Sequence, residues 1–357
     1  MDETVLSKSS LPGGTERFAF VHELVSADPE RVLWAVLIST VFLWFWKNVL
    51  SMPSHVDNQD KWQNCCLHRT HHIRERVVSL RNSMSYSTDY GMVEYSPTTD
   101  TMGNVVRYPQ NMQLSHHSVC ADPNRGIMYL VDGINGYIIS FDPIRHFFRV
   151  QASVPKIGGS SSCIVVEDNV HIFNGANNVG RHLIYDLNQN TLRMVNDSVT
   201  ADGALGGVSI MEYKGTFIRF GGWCAENRES LDEVMVSDDS VEWTESIQWT
   251  LPQPLIGSGS VQYEHYIFLF GGGGLSGDSD EIYVLDLQRE DKGWVMIEGL
   301  RCPQSCRYSA CLYMDAESED DHEVHLFTRG TPLGHYCIAL HELIDAVDIE
   351  RMTRFGM

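Results

Sequence analysis

The chain of 357 residues is 43% hydrophobic and 10% aromatic, enough to bury one large core and a small second module. Its formal charge is −21, and the imbalance is local: residues 1–84 hold nine Lys/Arg against nine Asp/Glu, residues 85–357 hold 17 against 38. So acidic a C-terminal region repels phosphate backbones and anionic headgroups, which argues against nucleic acid or basic-patch membrane binding there.

At the N-terminus, "MDETVLSKSSLPGGTERF" is acidic where a secretory signal is basic, and the apolar run behind it starts too late for a signal peptide. Residues 1–14 are expected to be disordered. The nine cysteines are odd in number and scattered, which fits buried thiols in a reducing compartment better than a disulfide framework. A cytoplasmic location is the expectation.

Residues 31–50 admit two readings. Val32 to Trp46 contains no charge, and Val32 to Leu50 contains only Lys47, so at about 1.5 Å per residue the run nearly spans a roughly 30 Å hydrocarbon core. A membrane segment here would have its richer Lys/Arg flank after residue 46, keeping the C-terminal region in the cytosol. The other reading starts from Asp28-Pro29, a helix N-terminus with Pro at the first helical position and Glu30 in the first turn. A membrane anchor needs no such start.

The stretch "FVHELVSADPERVLWAVLISTVF", with Asp28-Pro29, Val32, Ala35, Leu37-Ile38-Ser39 and Phe42, resembles the F-box family. "LWFWKNVL" and "DKWQNCCLHRTHHIRER" behind it look like segments that often trail F-boxes. The family's opening Leu-Pro is echoed by Leu11-Pro12 about four residues too far upstream, and the second helix is more apolar than usual. The resemblance implies a small α-helical module over residues 15–84. It would dock through Pro29, Val32, Leu37, Ile38 and Phe42 on an SKP-family linker and, through that linker, on a cullin.

"CCLHRTHH" gathers Cys65, Cys66, His68, His71 and His72, but no second ligand pair stands beyond it at zinc-site spacing. Buried Cys and solvated His are the simpler reading. No cofactor is expected.

Beyond residue 84 the chain repeats itself. "YIFLFGGGGLSGDSDEIYVLDLQREDKGWVMIEG" reads as an apolar strand, glycines, a loop, an apolar strand ending in Asp-Leu, a turn and a strand with Trp294. The order recurs in "TFIRFGGWCAENRESLDEVMVSDDSVEWTES", "VHIFNGANNVGRHLIYDLNQNTLRMVN", "GIMYLVDGINGYIISFDPIRHFFRVQ" and, degraded, in "EVHLFTRGTPLGHYCIALHEL". The landmark glycines Gly133, Gly175, Gly222, Gly272 and Gly330 recur at the spacing of four-stranded propeller blades, roughly 40 to 60 residues. Gly133, Gly175, Gly221, Gly222, Gly271 and Gly272 are read as structural, letting the backbone bend and approach its neighbour, with an aromatic in the last strand filling the gap between blades.

These motifs resemble the kelch family over residues 85–340. The fold class is therefore mainly β, a kelch-type β-propeller of five blades, with six as the alternative, and residues 341–357 form a tail. "DYGMVEYSPTTDTMGNVVRYP" reads as the outer two strands of a blade completed by the last repeat, so that strands from both chain ends close the ring.

"FGGGGLSGD" lacks the Lys-Ser/Thr of a phosphate loop, "CPQSC" has nothing to complete it as a redox pair, and no nucleophile, base and carboxylate form a recognisable set. The chain is read as no enzyme. By family analogy the loops after the glycines hold partner proteins, placing Asn177, Arg181, Trp223, Asn227 and Arg228 on that face; the acidic surface calls for a target with a basic surface. Together the two resemblances imply a substrate receptor of an SCF-type cullin-RING ubiquitin ligase. The alternative is a membrane-anchored kelch scaffold with no ligase role, held through residues 31–50.

Overall fold

The computed structural model describes strands Gln63–Asn64, Val77–Leu80 and Ser83–Ser87 and then residues 91–355, with gaps at 100, 110–113, 115–116, 174–180, 197–204, 225, 227, 275–276, 290, 315–321 and 329–333. Pro29, Val32, Leu37, Ile38, Phe42 and the whole 31–50 run lie outside the described residues, as do Cys65, Cys66, Gly175, Asn177 and Asn227. Among the described residues no helix is long and apolar enough to cross a membrane.

Six antiparallel four-stranded sheets succeed one another along the chain. The first blade is Val77–Leu80, Ser83–Ser87, Gly91–Ser96 and Thr101–Arg107. The second is Ser118–Asp122, Ile127–Asp132, Tyr137–Asp142 and Phe147–Ser153. The third is Ser162–Val166, Asn169–Phe173, Arg181–Asp186 and Thr191–Asn196. The fourth is Ser209–Tyr213, Thr216–Phe220, Val234–Ser237 and Thr244–Glu245. The fifth is Gly259–Tyr263, Tyr266–Gly274, Gly277–Asp286 and Trp294–Arg301. Tyr308–Tyr313, Glu323–Thr328 and His335–Ala339 form the sixth, completed by Gln63–Asn64 on its outer edge.

The innermost strands of the first to fourth blades neighbour one another in turn, as do those of the fifth and sixth, and that of the sixth neighbours that of the first. The molecule is a β-propeller. The five sequence repeats are its second to sixth blades, and a further blade precedes them, so the described four-stranded sheets number six.

"DYGMVEYSPTTDTMGNVVRYP" is not paired with the last repeat, as its sequence suggested. It forms the third and fourth strands of its own blade, whose inner strands are Val77–Leu80 and Ser83–Ser87. The ring is still closed by both chain ends, through Gln63 and Asn64 opposite Cys337 and Tyr336. Propeller strands therefore start at residue 63, not 85, within a compact unit that runs from Asn58. "VVSL" and "SMSYS" escaped notice because they are short, serine-rich and carry no glycine landmark.

The apolar core is distributed between blades. One cluster, with Val131, Ile138, Ile172 and Leu183, is shared by the second and third blades; another, with Phe220, Val234, Leu269 and Leu285, by the fourth and fifth. The central strands Ile127–Asp132 and Tyr266–Gly274 are buried on both faces, which is why "IMYLVD" and "YIFLFGGGG" are continuously apolar rather than alternating. Residues 341–357, expected as a tail, are instead mostly helical: α1 (Leu340–Phe355) buries Leu340, Leu343 and Val347 against the fifth and sixth blades. Their i, i+3, i+7 spacing is one helical face.

The glycine landmarks have a common cause. In the second, fourth and fifth blades the segment leaving the outer strand for the next blade passes over the end of the second strand. There Gly133 O accepts from Ile157 N, Gly222 N donates to Leu255 O, and Gly272 N donates to Cys306 O, at 2.9, 2.8 and 3.0 Å. A Cβ on Gly133 would lie 2.1 Å from Gly158 O, and one on Gly271 2.5 Å from Cys306 O. Gly221, Gly222, Gly271 and Gly272 also have positive φ, and Gly271 falls at the register shift between Phe270 and Gly272. The Asp of each "Asp-Leu" or "Asp-Pro" motif caps the next turn: Asp142, Asp186 and Asp286 accept backbone N–H groups two residues on at 2.8 to 3.0 Å. The outer aromatics reach the preceding blade, Trp243 to Phe173 and Trp294 to Phe220, with centroids 5.7 and 5.6 Å apart.

Candidate functional site

Because strands alternate in direction, the loops joining second to third strands emerge on the same face as the segments that enter each first strand. The central channel opens there as a cavity of about 170 Å³. Its wall is built from small residues at the starts of five innermost strands, among them Ser162, Ser209, Gly259 and Ser260. Ser118 Oγ and Ser161 Oγ lie 3.3 Å apart, and Ser162 Oγ donates to Val208 O. Glycine and serine are needed because the inner strands crowd the axis: a Cβ on Gly259 would lie 2.9 Å from Ala310 Cβ.

The titratable side chains lining this cavity are Cys163, which is buried, and Tyr308. Tyr308 is also buried and donates to Gln304 O at 2.7 Å, and burial raises its phenol pKa far above the ordinary range. The mouth thus offers hydroxyls and backbone groups, and its phenol stays protonated.

Around the mouth, the fourth and fifth blades raise a wall. Residues 221–233 of the fourth carry a small added sheet of Leu205–Gly206, Trp223–Cys224 and Glu229–Ser230. The fifth extends its central hairpin through Gly271–Gly274, bridged by Gly273 to Ile256. Arg307, on the segment entering the sixth blade, reaches this hairpin, its Nε 3.7 Å from Asp278 Oδ1 and both side chains about half exposed. At the hairpin base Glu281 Oε2 accepts from Gln253 Nε2 at 2.8 Å and from the Tyr283 hydroxyl, and Arg301 Nη1 lies 3.4 Å from Glu281 Oε1.

Two of the residues proposed from sequence fall on that wall. Trp223 is half-buried in the added sheet, opposite Ser230, and Arg228 is exposed at the tip of the same excursion with φ 57°. Arg181 opens the third strand of the third blade, with Asn196 as its Cα partner. Arg307, Asp278 and the channel serines went unnoticed. The serines had a signal: "HHS", "SSS", "GVS" and "GSGS" each precede an innermost strand.

"CPQSC" is a pair of free thiols. Burial pushes the Cys302 thiol well above its ordinary pKa and Cys306 up to about 11, so both sulfurs stay protonated and are poor nucleophiles.

No family model matches the chain, and no curated protein matches it. Among solved structures it is similar to that of YjhT, with a TM-score of 0.50 and 12% identity over 62% of this chain and 74% of the other. That likeness is one of fold.

Proposed function

We propose that this chain is a non-enzymatic protein-recognition subunit, the substrate receptor of a cullin-RING ubiquitin ligase, with the propeller holding the target protein. The observation that carries the binding role is the contrast between channel and wall. A cavity of about 170 Å³ falls below the roughly 300 Å³ at which small-molecule pockets begin, while the loops of the fourth and fifth blades and the segment entering the sixth offer Trp223, Arg228 and Arg307 on a broad surface. The repeat motifs add to this, since their glycines, aspartates and tryptophans are taken up in holding blades together. What is left to vary is the loop face.

The ligase half of the reading rests on the F-box resemblance of the stretch before residue 63, since the rest of the expected 15–84 module is taken up by propeller strands. The helical segment would attach to an SKP-family linker, and the chain would raise the effective concentration of target lysines near the charged ubiquitin carrier without doing chemistry itself. On this reading the chain works in the cytoplasm.

The test is co-expression of the full chain with an SKP-family linker. Co-purification, and its loss in Leu37→Asp/Ile38→Asp, is expected, because burying unpaired charge at the contact costs several kcal/mol. Recovery only in carbonate-resistant membranes with no linker bound would end the ligase reading in favour of an anchored scaffold.

A further inference from the structure

The third and sixth blades carry the same histidine pair at the same places. In the third, His171 Nδ1 lies 3.2 Å from His182 Nε2, and His182 stacks on Phe173 at 4.3 Å. In the sixth, His325 Nδ1 lies 3.0 Å from His335 Nε2, and His335 stacks on Phe327 at 4.0 Å. Each pair faces the next blade: His171 meets Phe217 of the fourth, and His335 meets Tyr95 of the first edge-on at 4.7 Å. A histidine pair between blades is therefore a packing device that this fold uses twice.

The surroundings differ. Opposite His171 stands Ile184, and two residues before it Asn169. At the corresponding places the sixth blade has Cys337, the Cα partner of His325, and Glu323. Strand alternation puts Glu323, His325 and Cys337 on one face, and their donor atoms lie within 4.8 Å of one another. Packing in the third blade needs neither a thiol nor a carboxylate.

We infer that Glu323, His325 and Cys337 form a binding site for a zinc-class divalent metal ion in the blade that closes the ring. The donor set of carboxylate oxygen, imidazole nitrogen and thiolate sulfur is one that zinc accepts. His325 Nε2 and Glu323 Oε2 are 3.1 Å apart, so a proton or a cation lies between them, and the sulfur opposite adds the third donor that a cation requires. His335 Nε2, 3.0 Å from His325 Nδ1, is placed to accept from Nδ1–H once the ion takes Nε2, which holds the ring in the ligating tautomer. His325 is fully buried and Cys337 nearly so, while the Glu323 side chain is 30% exposed and gives the ion a way in. Binding releases the Cys337 thiol proton to solvent, so affinity rises with pH.

Cobalt(II) is the probe. The full chain, stripped with chelator and titrated with cobalt(II), is expected to bind one ion with a thiolate-to-metal charge-transfer band, displaced by zinc. Cys337→Ile, which installs the third blade's residue, should abolish the band while leaving near-ultraviolet circular dichroism unchanged. His335→Phe should weaken binding about 10- to 100-fold, and Cys65→Ser/Cys66→Ser should leave the band intact. If Cys337→Ile does not fold, X-ray absorption of the zinc-loaded wild type decides instead, by one sulfur at about 2.3 Å with nitrogen and oxygen neighbours. A band that survives Cys337→Ile, a band lost only with Cys65 and Cys66, a sulfur-free metal environment, or no cobalt bound at all would overturn the site.

Discussion

Acidification should loosen the seam between the third and fourth blades through its histidine pair. Burial pushes His171 down to about 4 and His182 down to about 3, with Arg193 adding to both and His171 adding to His182. The unfolded chain returns each ring to about 6.5. Below that value the unfolded state binds protons that the folded state refuses, so the stability held above pH 6.5 is lost as pH falls toward 4 and 3. Each ring contributes up to about 1.4 kcal/mol per pH unit, and from pH 7 to pH 5 the pair removes roughly 3 kcal/mol. The measurement is a denaturant midpoint series at pH 7, 6 and 5 for wild type and His182→Leu. The variant starts less stable, having lost the bond to His171 and the stack on Phe173, but its midpoint should fall about half as steeply from this source. Parallel pH profiles for the two proteins would refute the argument, because every other histidine is common to both.

Gly222→Val should lower the melting temperature by several degrees: φ is 104°, the new Cβ would meet Val208 Cγ1 at 2.5 Å, and strain plus overpacking cost about 2 to 6 kcal/mol. Unchanged melting would contradict the structural role of the glycine pair. Leu343→Ala should cost about 2 to 5 kcal/mol and expose α1 to limited proteolysis, since Leu343 is fully buried between helix and blades. For a target with a basic surface, association with this chain should slow as salt shortens the Debye length from about 10 Å at 0.1 M to about 3 Å at 1 M. Arg228→Ala should instead speed dissociation about 5- to 30-fold if the exposed excursion of the fourth blade is an anchor, and an unaltered dissociation rate removes Arg228 from the site.

The sequence by itself determined the repeat unit. An apolar run ending in glycine, a second ending in aspartate, and an aromatic beyond the turn are local patterns, each tied to one backbone requirement. Gly222 and Gly272 have positive φ, Asp186 and Asp286 cap their turns, and Trp294 reaches the preceding blade. Blade number was a different matter, because Val77–Leu80 and Ser83–Ser87 owe their pairing to partners in space rather than to any motif. The same holds for Gln63–Asn64, two residues whose strand character comes entirely from Tyr336 and Cys337 at the far end of the chain. Residues 341–357 read as a tail in sequence, although Leu340, Leu343 and Val347 fall on one helical face, and nothing in that spacing says which blades the helix covers. Only the tertiary structure brings Glu323, His325 and Cys337 to one face, and only alignment of blades in space shows that the third blade keeps the histidine but does without the carboxylate and the thiol. A ring closes by contacts between residues far apart in sequence, and such contacts leave no local periodicity to read.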